Sequence, residues 1–326
     1  MNHLITHAKL LFVAGAWGGA WTSGRIVATH IPPVLGATLR YAMAVPMFLL
    51  ILRWLEPSDE GRWGIRPPSR GEWKRLMMIG IFSTFLYQVL FMLGMQRTAA
   101  GDASLVISFN PVFTAILAVL FLGERFTARM GAGLGLGVAG VVLIFLRSPN
   151  VALDPQDRMI GDGLILLAAM AWATSTILMK RAMDEPTLDA EAPMTPLALT
   201  TWASLVGLVL LVPVVGLEAL LDDGPTTWVI RGLDWWNILY LALISTVIAY
   251  VWFADGVQRI GAERAALYVF LVPPFGVLTG VVFLGEAFGW EMLIAFASII
   301  LGVRLASTSS SEPADTALKS GADRNA

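Results

Sequence analysis

The stretch STFLYQVLFMLGMQRTAAGDASLVISFNPVFTAILAVLFLGE, residues 83–124, returns without a gap as STVIAYVWFADGVQRIGAERAALYVFLVPPFGVLTGVVFLGE, residues 245–286. Seventeen of the 42 aligned positions are identical, and each copy ends a long apolar run on the same four residues, FLGE. Internal repeats of hydropathy and sequence are typical of membrane transporters built by duplication. The repeat therefore predicts a chain made of two related halves.

Composition places the chain in a membrane. Of 326 residues, 56% are hydrophobic and 14% are charged, and the mean hydropathy is +0.71. Soluble domains are about a quarter charged, whereas runs of about 20 apolar residues match the thickness of a bilayer. We predict an all-α integral membrane protein with ten spans, at 9–28, 33–54, 74–95, 102–122, 128–147, 160–180, 197–216, 235–255, 263–284 and 287–306.

The distribution of lysine and arginine predicts the orientation. With the N-terminus in the cytoplasm, sixteen of these residues lie inside, four lie outside and two lie within spans. Each half has five spans, so the second half enters the membrane in the opposite sense. The first spans of the halves also match at a shift of 155, which places Trp17 on Trp172 and Arg25 on Lys180. We therefore expect inverted-topology repeats with both termini cytoplasmic, in the cell's inner (plasma) membrane.

The domain boundaries follow from the same pattern. We expect a first repeat at 1–150, a second, inverted repeat at 151–306 and a disordered cytoplasmic tail at 307–326, which is too polar to bury a core. The apolar N-terminus resembles a signal peptide. Its run continues past the small residues into two tryptophans, so we interpret it as a retained first span.

The order of several short motifs resembles the drug/metabolite transporter superfamily, in its ten-helix form with two EamA-type repeats. The motifs are AWG at 16–18 and AW at 171–172, LRY at 39–41, and the two copies of FLGE. The resemblance covers about residues 9–306. It implies a secondary carrier of small metabolites, such as amino acids or amphiphilic compounds, often an exporter. The inverted repeat itself predicts alternating access around a central midplane cavity, and we expect no cofactor.

Paired prolines indicate where a substrate cavity lies. Pro111 and Pro273 occupy equivalent places near the middle of the fourth and ninth spans, and Pro274 follows the second of them. Proline removes a helical hydrogen bond, which would free the carbonyls of Ile107 and Val269. Paired interruptions point to a midplane site, although membrane helices also tolerate proline as a plain kink.

Arg40 is the candidate for recognition of an anion. It lies about seven residues inside the second span, where a charge is costly. One hypothesis is that it attracts an anionic substrate group, such as a carboxylate. The alternative is that its long side chain reaches the outer headgroups.

Other polar and aromatic side chains at depth complete the predicted substrate-binding set. The aromatic rings among them could hold a cation, or they could simply pack against lipid and neighbouring helices. These residues are Trp17, Trp21, Tyr87, Gln88, Asn110, Trp172, Tyr250, Trp252 and Tyr268.

The acids of the repeated FLGE, Glu124 and Glu286, are predicted to have a structural role. Each precedes the next helix by a few residues, where a carboxylate is favourable near exposed N–H groups. The alternative role is proton coupling, and protons are the candidate coupling ion. We expect a monomer or a homodimer in the lipid bilayer, without a nucleic-acid partner.

Other functions lack the residues that they need. The sequence has no cysteine and no phosphate-binding loop, and its three histidines lie at ends or loops, so we expect neither a metal site nor ATP as the energy source. A membrane enzyme would need a cluster of acids or histidines at one depth. A channel would need a ring or filter, and nothing in the sequence resembles one.

Overall fold

The computed structural model describes residues 2–55, 67–122, 126–150, 152–184, 194–221, 229–260, 265 and 268–307. Within these ranges the ordered elements are helical and no strand forms. The first half contains α1 Asn2–His30, α2 Pro33–Leu55, α3 Arg70–Gly80, α4 Tyr87–Arg97, α5 Ala100–Val106, α6 Asn110–Leu122 and α7 Ala128–Arg147. The second half contains α8 Pro155–Asp184, α9 Pro196–Leu221, α10 Gly232–Leu239, α11 Ala249–Ile260, α12 Val272–Leu284 and α13 Trp290–Ser307.

Length and hydropathy confirm that this is an all-helical, multi-pass membrane protein. Among the described residues, seven helices are long and apolar enough to cross a membrane, and α12 is a shorter apolar helix. The seven are Pro33–Leu55, Arg70–Arg97, Ala100–Phe121, Ala128–Arg147, Pro155–Asp184, Pro196–Leu220 and Gly232–Gly256. The predicted tail at 307–326 falls almost wholly outside the described ranges.

Close helix packing in this protein depends on small residues. The glycine-rich face of α7 packs against α13, and a Cβ added at Gly140 would lie 2.8 Å from the carbonyl oxygen of Ala295. On α1, a Cβ at Gly18 would lie 2.3 Å from the Cβ of Phe275 on α12. Such contacts let membrane helices approach without any hydrophobic driving force between them. They join the two sequence halves along a broad surface.

Two π-helical segments interrupt the helices, and neither was predicted from the sequence. The first, Ile81–Leu86, joins α3 to α4, and the second, Tyr240–Ile248, joins α10 to α11. Their C-terminal ends are 162 residues apart, the spacing of the duplication, and each contains a Ser-Thr pair. Neither contains proline or glycine, so no single residue marks them. Short π segments are frequent at functional sites.

Helix breaks also occur at the paired prolines. A 3₁₀ turn, Ile107–Phe109, separates α5 from α6, so Pro111 stands in the first turn of a new helix. In the second half, α12 begins at Val272, directly before Pro273 and Pro274. Proline is compatible with both places, because the first N–H groups of a helix lack intrahelical partners.

Candidate functional site

A cavity of about 200 Å³ lies between the two halves of the bundle. Side chains from α1, α2, α4, α6, α8, α11 and α12 line it, together with the second π segment and the 3₁₀ turn. Of the residues predicted from the sequence, the lining includes Trp17, Trp21, Arg40, Tyr87, Gln88, Asn110, Trp172 and Tyr250, with Pro111 and Pro273. That these residues bind substrate stays a prediction.

Three of the predicted residues are placed elsewhere. Pro274 follows Pro273 in α12 but is not part of the cavity lining. Trp252 packs its ring on Phe12, with 5.0 Å between ring centroids, close to the beginning of α1. The Tyr268 hydroxyl lies 2.6 Å from Nδ1 of His7, also near that end. Trp252 and Tyr268 therefore join α1 to the second half rather than form the cavity wall.

Aromatic rings form a continuous series around the cavity. Trp17 and Trp21 stand one turn apart on α1, and the series runs between them through α11, α8 and α4. The contacts are Trp17–Tyr250 at 5.8 Å, Tyr250–Trp172 at 6.2 Å, Trp172–Tyr87 at 5.2 Å, Tyr87–Phe91 at 5.9 Å and Phe91–Trp21 at 5.2 Å. These distances suit tilted or offset aromatic pairs, and such a wall presents π faces to an apolar or cationic group.

Arg40 supplies the cation of this cavity. Its side chain leaves α2 toward the second π segment, and the residue is 7% exposed. Nε and Nη2 donate to the hydroxyl oxygen of Thr246, at 2.9 and 2.8 Å, and Nη1 lies 3.4 Å from the amide oxygen of Gln88. Among the described residues no carboxylate lies within 4.0 Å of it. A buried cation with only neutral partners is costly to keep, and an anionic ligand would offset that cost.

The two cavity tryptophans of α1 differ in their hydrogen bonds. Nε1 of Trp17 donates to the carbonyl oxygen of Ser245 at 3.0 Å. Nε1 of Trp21 is buried and has no hydrogen-bond partner within the described part of the chain. Buried donors are nearly always satisfied, so an unpaired donor in a cavity wall is available to an acceptor inside the cavity.

The prolines affect the backbone of the cavity differently in the two halves. The Ile107 carbonyl accepts the N–H of Asn110 in the 3₁₀ turn, so the expectation that Pro111 frees it is wrong. Tightening the turn replaces the lost bond. In the second half, two successive prolines leave the carbonyls of Val269 and Phe270 without their usual donors four residues on. Both of these residues line the cavity.

The far end of the bundle, where α1 ends, contains a buried ionic network. Asp102 on α5 and Asp162 on α8 are both fully buried. Nη1 of Arg158 lies 3.3 Å from Oδ2 of Asp162 and 3.8 Å from Oδ2 of Asp102. Ser148 donates to Asp102 at 2.5 Å, and Thr98 donates to Asp162. Two carboxylates thus share one guanidinium.

This network was missed because its members fall at the ends of predicted spans, where charges look solvated. The sequence does contain a signal of this network. Asp102 and Asp162 each stand next to a glycine in an otherwise apolar run, and the predicted topology assigns both to the same side of the membrane. Ionisable groups within spans are rare and normally paired. Because the predicted topology places both aspartates at the same depth, it indicates that they lie in contact.

Glu286 also acts at the far end. Its two carboxylate oxygens accept the N–H groups of Ala100 and Gly101, at 2.6 and 2.8 Å. It thus caps the N-terminus of α5, and a structural role at a helix N-terminus was predicted. The capped helix, however, belongs to the first half and is not the helix that follows Glu286 in the chain. Burial raises the pKa of the Glu286 carboxyl, against the opposing effect of the two N–H groups. Glu124 lies outside the described residues.

Contacts at the opposite end are more exposed. Nζ of Lys9 on α1 lies 2.8 Å from Oδ2 of Asp255 on α11, and Nε of Arg259 lies 2.6 Å from Oδ1 of the same carboxylate. These side chains are between 26% and 51% exposed. Exposed pairs of this kind contribute little to stability.

The fold and the cavity together define a class: a duplicated helical membrane protein with a central, largely apolar cavity. The model of the EamA-like transporter family matches residues 5–146 and again residues 159–308. The chain belongs to this family, and its two matches correspond to the two halves seen in the sequence.

Known proteins support the same assignment. The chain is 25% identical over 308 residues to the uncharacterized transporter YyaM of Bacillus subtilis, covering 94% of this chain and 95% of that protein. It is 27% identical over 245 residues to a protein of Streptantibioticus cattleyicolor named "Probable terminal-alkyne amino-acid exporter", covering 75% of this chain and 76% of that one. A crystal structure matches the fold with a TM-score of 0.59 at 20% identity, over 94% of this chain and 97% of the other.

Proposed function

We propose that this membrane transporter is a secondary carrier that exports small metabolites bearing an anionic group, such as amino acids or amphiphilic carboxylates. The observation that supports the proposal is Arg40, a buried cation in an aromatic cavity with only neutral partners. The relative named as an amino-acid exporter supports amino acids as one candidate class. A channel or membrane enzyme is the alternative, but nothing in the cavity favours either over a carrier.

In this proposal the chain works by alternating access. Two inverted five-helix repeats, at 1–150 and 151–306, give ten spans around the cavity, and protons are the coupling ion. The far end is closed by the buried network around Arg158, while the end with Lys9 and Asp255 is held by exposed pairs. A carrier of this kind would open one end at a time around a fixed midplane site.

The experiment for substrate is an efflux and growth screen in cells with and without the protein. The panel contains amino acids, amphiphilic carboxylates and the amides of both, and each active compound is repeated with Arg40→Gln. We expect the active compounds to carry a carboxylate and to lose export in the variant. Export of only neutral or cationic compounds, unaffected by Arg40→Gln, would show that the proposed substrate class is wrong.

Topology is tested with reporter fusions. We expect fusions after Arg147 and after Arg231 both to be external, because the positive-inside pattern places both loops outside. A fusion after Arg53 is the matched control and should be cytoplasmic. A cytoplasmic signal after either of the first two positions would contradict the inverted repeat.

The paired prolines are tested by restoring their N–H groups. We expect Pro111→Ala and Pro273→Ala each to lower the transport rate severalfold with normal insertion, because a continuous helix would replace the break in the cavity wall. Pro46→Ala and Pro213→Ala are matched controls, since these prolines lie inside α2 and α9 and outside the cavity lining. Equal rates in all four variants would show that the breaks have no role in transport.

A further inference from the structure

The second π segment determines how the Arg40 guanidinium is held. Thr246 stands in this segment, and its hydroxyl donates to the carbonyl oxygen of Leu241, five residues earlier, at 2.7 Å. In an α-helix the same hydroxyl would reach a carbonyl three or four residues back. The π register therefore fixes both the side chain of Thr246 and the direction of its hydroxyl hydrogen.

Because that hydrogen is used, the oxygen of Thr246 faces Arg40 as an acceptor. It receives Nε at 2.9 Å and Nη2 at 2.8 Å, so it grips one edge of the planar guanidinium. The opposite edge carries Nη1, whose hydrogen-bond partner among the described side chains is the amide oxygen of Gln88, at a long 3.4 Å. A fork with one edge fixed presents its other N–H groups in a defined direction, as bidentate recognition of a carboxylate requires.

The first half contains the same scaffold without the cation. Thr84 stands in the first π segment, 162 residues before Thr246, and is 2% exposed. There α9 crosses the segment with Gly207, at which an added Cβ would lie 2.3 Å from the Cβ of Thr84. Thr84 thus fills space against a glycine, whereas Thr246 holds an arginine. The duplicated threonine provides an internal control for the role of its hydroxyl.

We propose that Thr246 is the positioning residue for Arg40, and that the second π segment sets the preference of the cavity for a carboxylate over its neutral isostere. This inference rests on the proposed function, since it needs Arg40 to bind an anion. Thr246 itself does not touch the substrate. Its effect is to keep one edge of the guanidinium occupied and the other edge aimed at the ligand.

The test uses a pair of probes that differ at one group, the carboxylate of L-phenylalanine and the carboxamide of L-phenylalaninamide. Their binding to purified protein in lipid nanodiscs is measured by isothermal titration calorimetry. Wild type should prefer the acid. Thr246→Val should weaken binding of the acid about tenfold and leave the amide unchanged, because the two hydrogen bonds that hold the guanidinium in place are lost. Thr246→Ser should restore acid binding, and Thr84→Val should bind both probes as wild type does.

The outcomes separate this inference from the proposed function. If wild type shows no preference for the acid, or if Arg40→Gln retains that preference, both are overturned. If Arg40→Gln abolishes the preference while Thr246→Val retains it, only the role of Thr246 is overturned. Equal loss of acid and amide in Thr246→Val, or the same loss in Thr84→Val, would mean that the threonines only pack, and would also overturn it.

Discussion

Replacing Arg40 with glutamine is expected to abolish most transport while leaving protein levels near normal. Glutamine can still hydrogen-bond to Thr246, but it carries no charge. Its side chain is also smaller than the arginine that it replaces. Losing one charged partner in a buried pair costs about 2 kcal/mol or more, roughly a 30-fold loss of affinity for the substrate anion. The measurement is uptake or efflux in reconstituted vesicles, with the compound found in the efflux screen.

Two further variants interpret that result. Arg40→Lys should recover only part of the activity, because an ammonium cannot reproduce the planar fork that Thr246 grips. Arg97→Gln is the matched control, since the Arg97 side chain is 37% exposed. Its Nε lies 4.0 Å from Oδ1 of Asp157, so this ion pair is long. Full transport in Arg40→Gln would contradict the assigned role, and equal losses in both variants would point to a general effect of lost charge.

The second large effect is expected in stability, from Arg158→Met. This change removes the guanidinium that Asp102 and Asp162 share, and it leaves two buried carboxylates with no other cation of the described residues within 4.0 Å. Removing one partner of a buried pair costs about 3–5 kcal/mol, so we expect a lower unfolding temperature in detergent and a lower yield. The double variant Arg158→Met with Asp162→Asn should recover part of the loss, because one of the stranded charges is also removed.

The control for this effect is Arg259→Met. Arg259 pairs with Asp255 at the exposed end, where the pair is solvated, so its loss should change the unfolding temperature little. An unchanged unfolding temperature in Arg158→Met would contradict the view that the far-end network stabilises the bundle.

The sequence predicted the class of fold and much of the cavity lining because both depend on local patterns. Apolar runs, loop charges and a duplicated segment can be read along the chain, and Trp17 and Trp172 were found as equivalent residues in this way. Arg40 was recognised because a cation inside an apolar run is costly wherever it points. These inferences needed no knowledge of which helices touch.

The partners of these residues could not be predicted. Arg40 and Thr246 are 206 residues apart, and their contact depends on a π segment that no proline or glycine marks. Glu286 was correctly expected at a helix N-terminus, but the choice of α5 depends on how the halves pack. Tyr268 and Trp252 are residue types that commonly line cavities, but they lie beside His7 and Phe12 instead. Long-range pairing, rather than residue type, decided each case.

The most direct test of the central claim is a structure of the protein determined with a compound that it exports. We predict density for the compound within the ring of aromatic residues, with an anionic oxygen about 2.9 Å from a guanidinium nitrogen of Arg40. An acceptor atom of the compound should also lie close to Nε1 of Trp21. Density confined to the groove beside His30 and Glu218, with the aromatic cavity empty, would contradict the account.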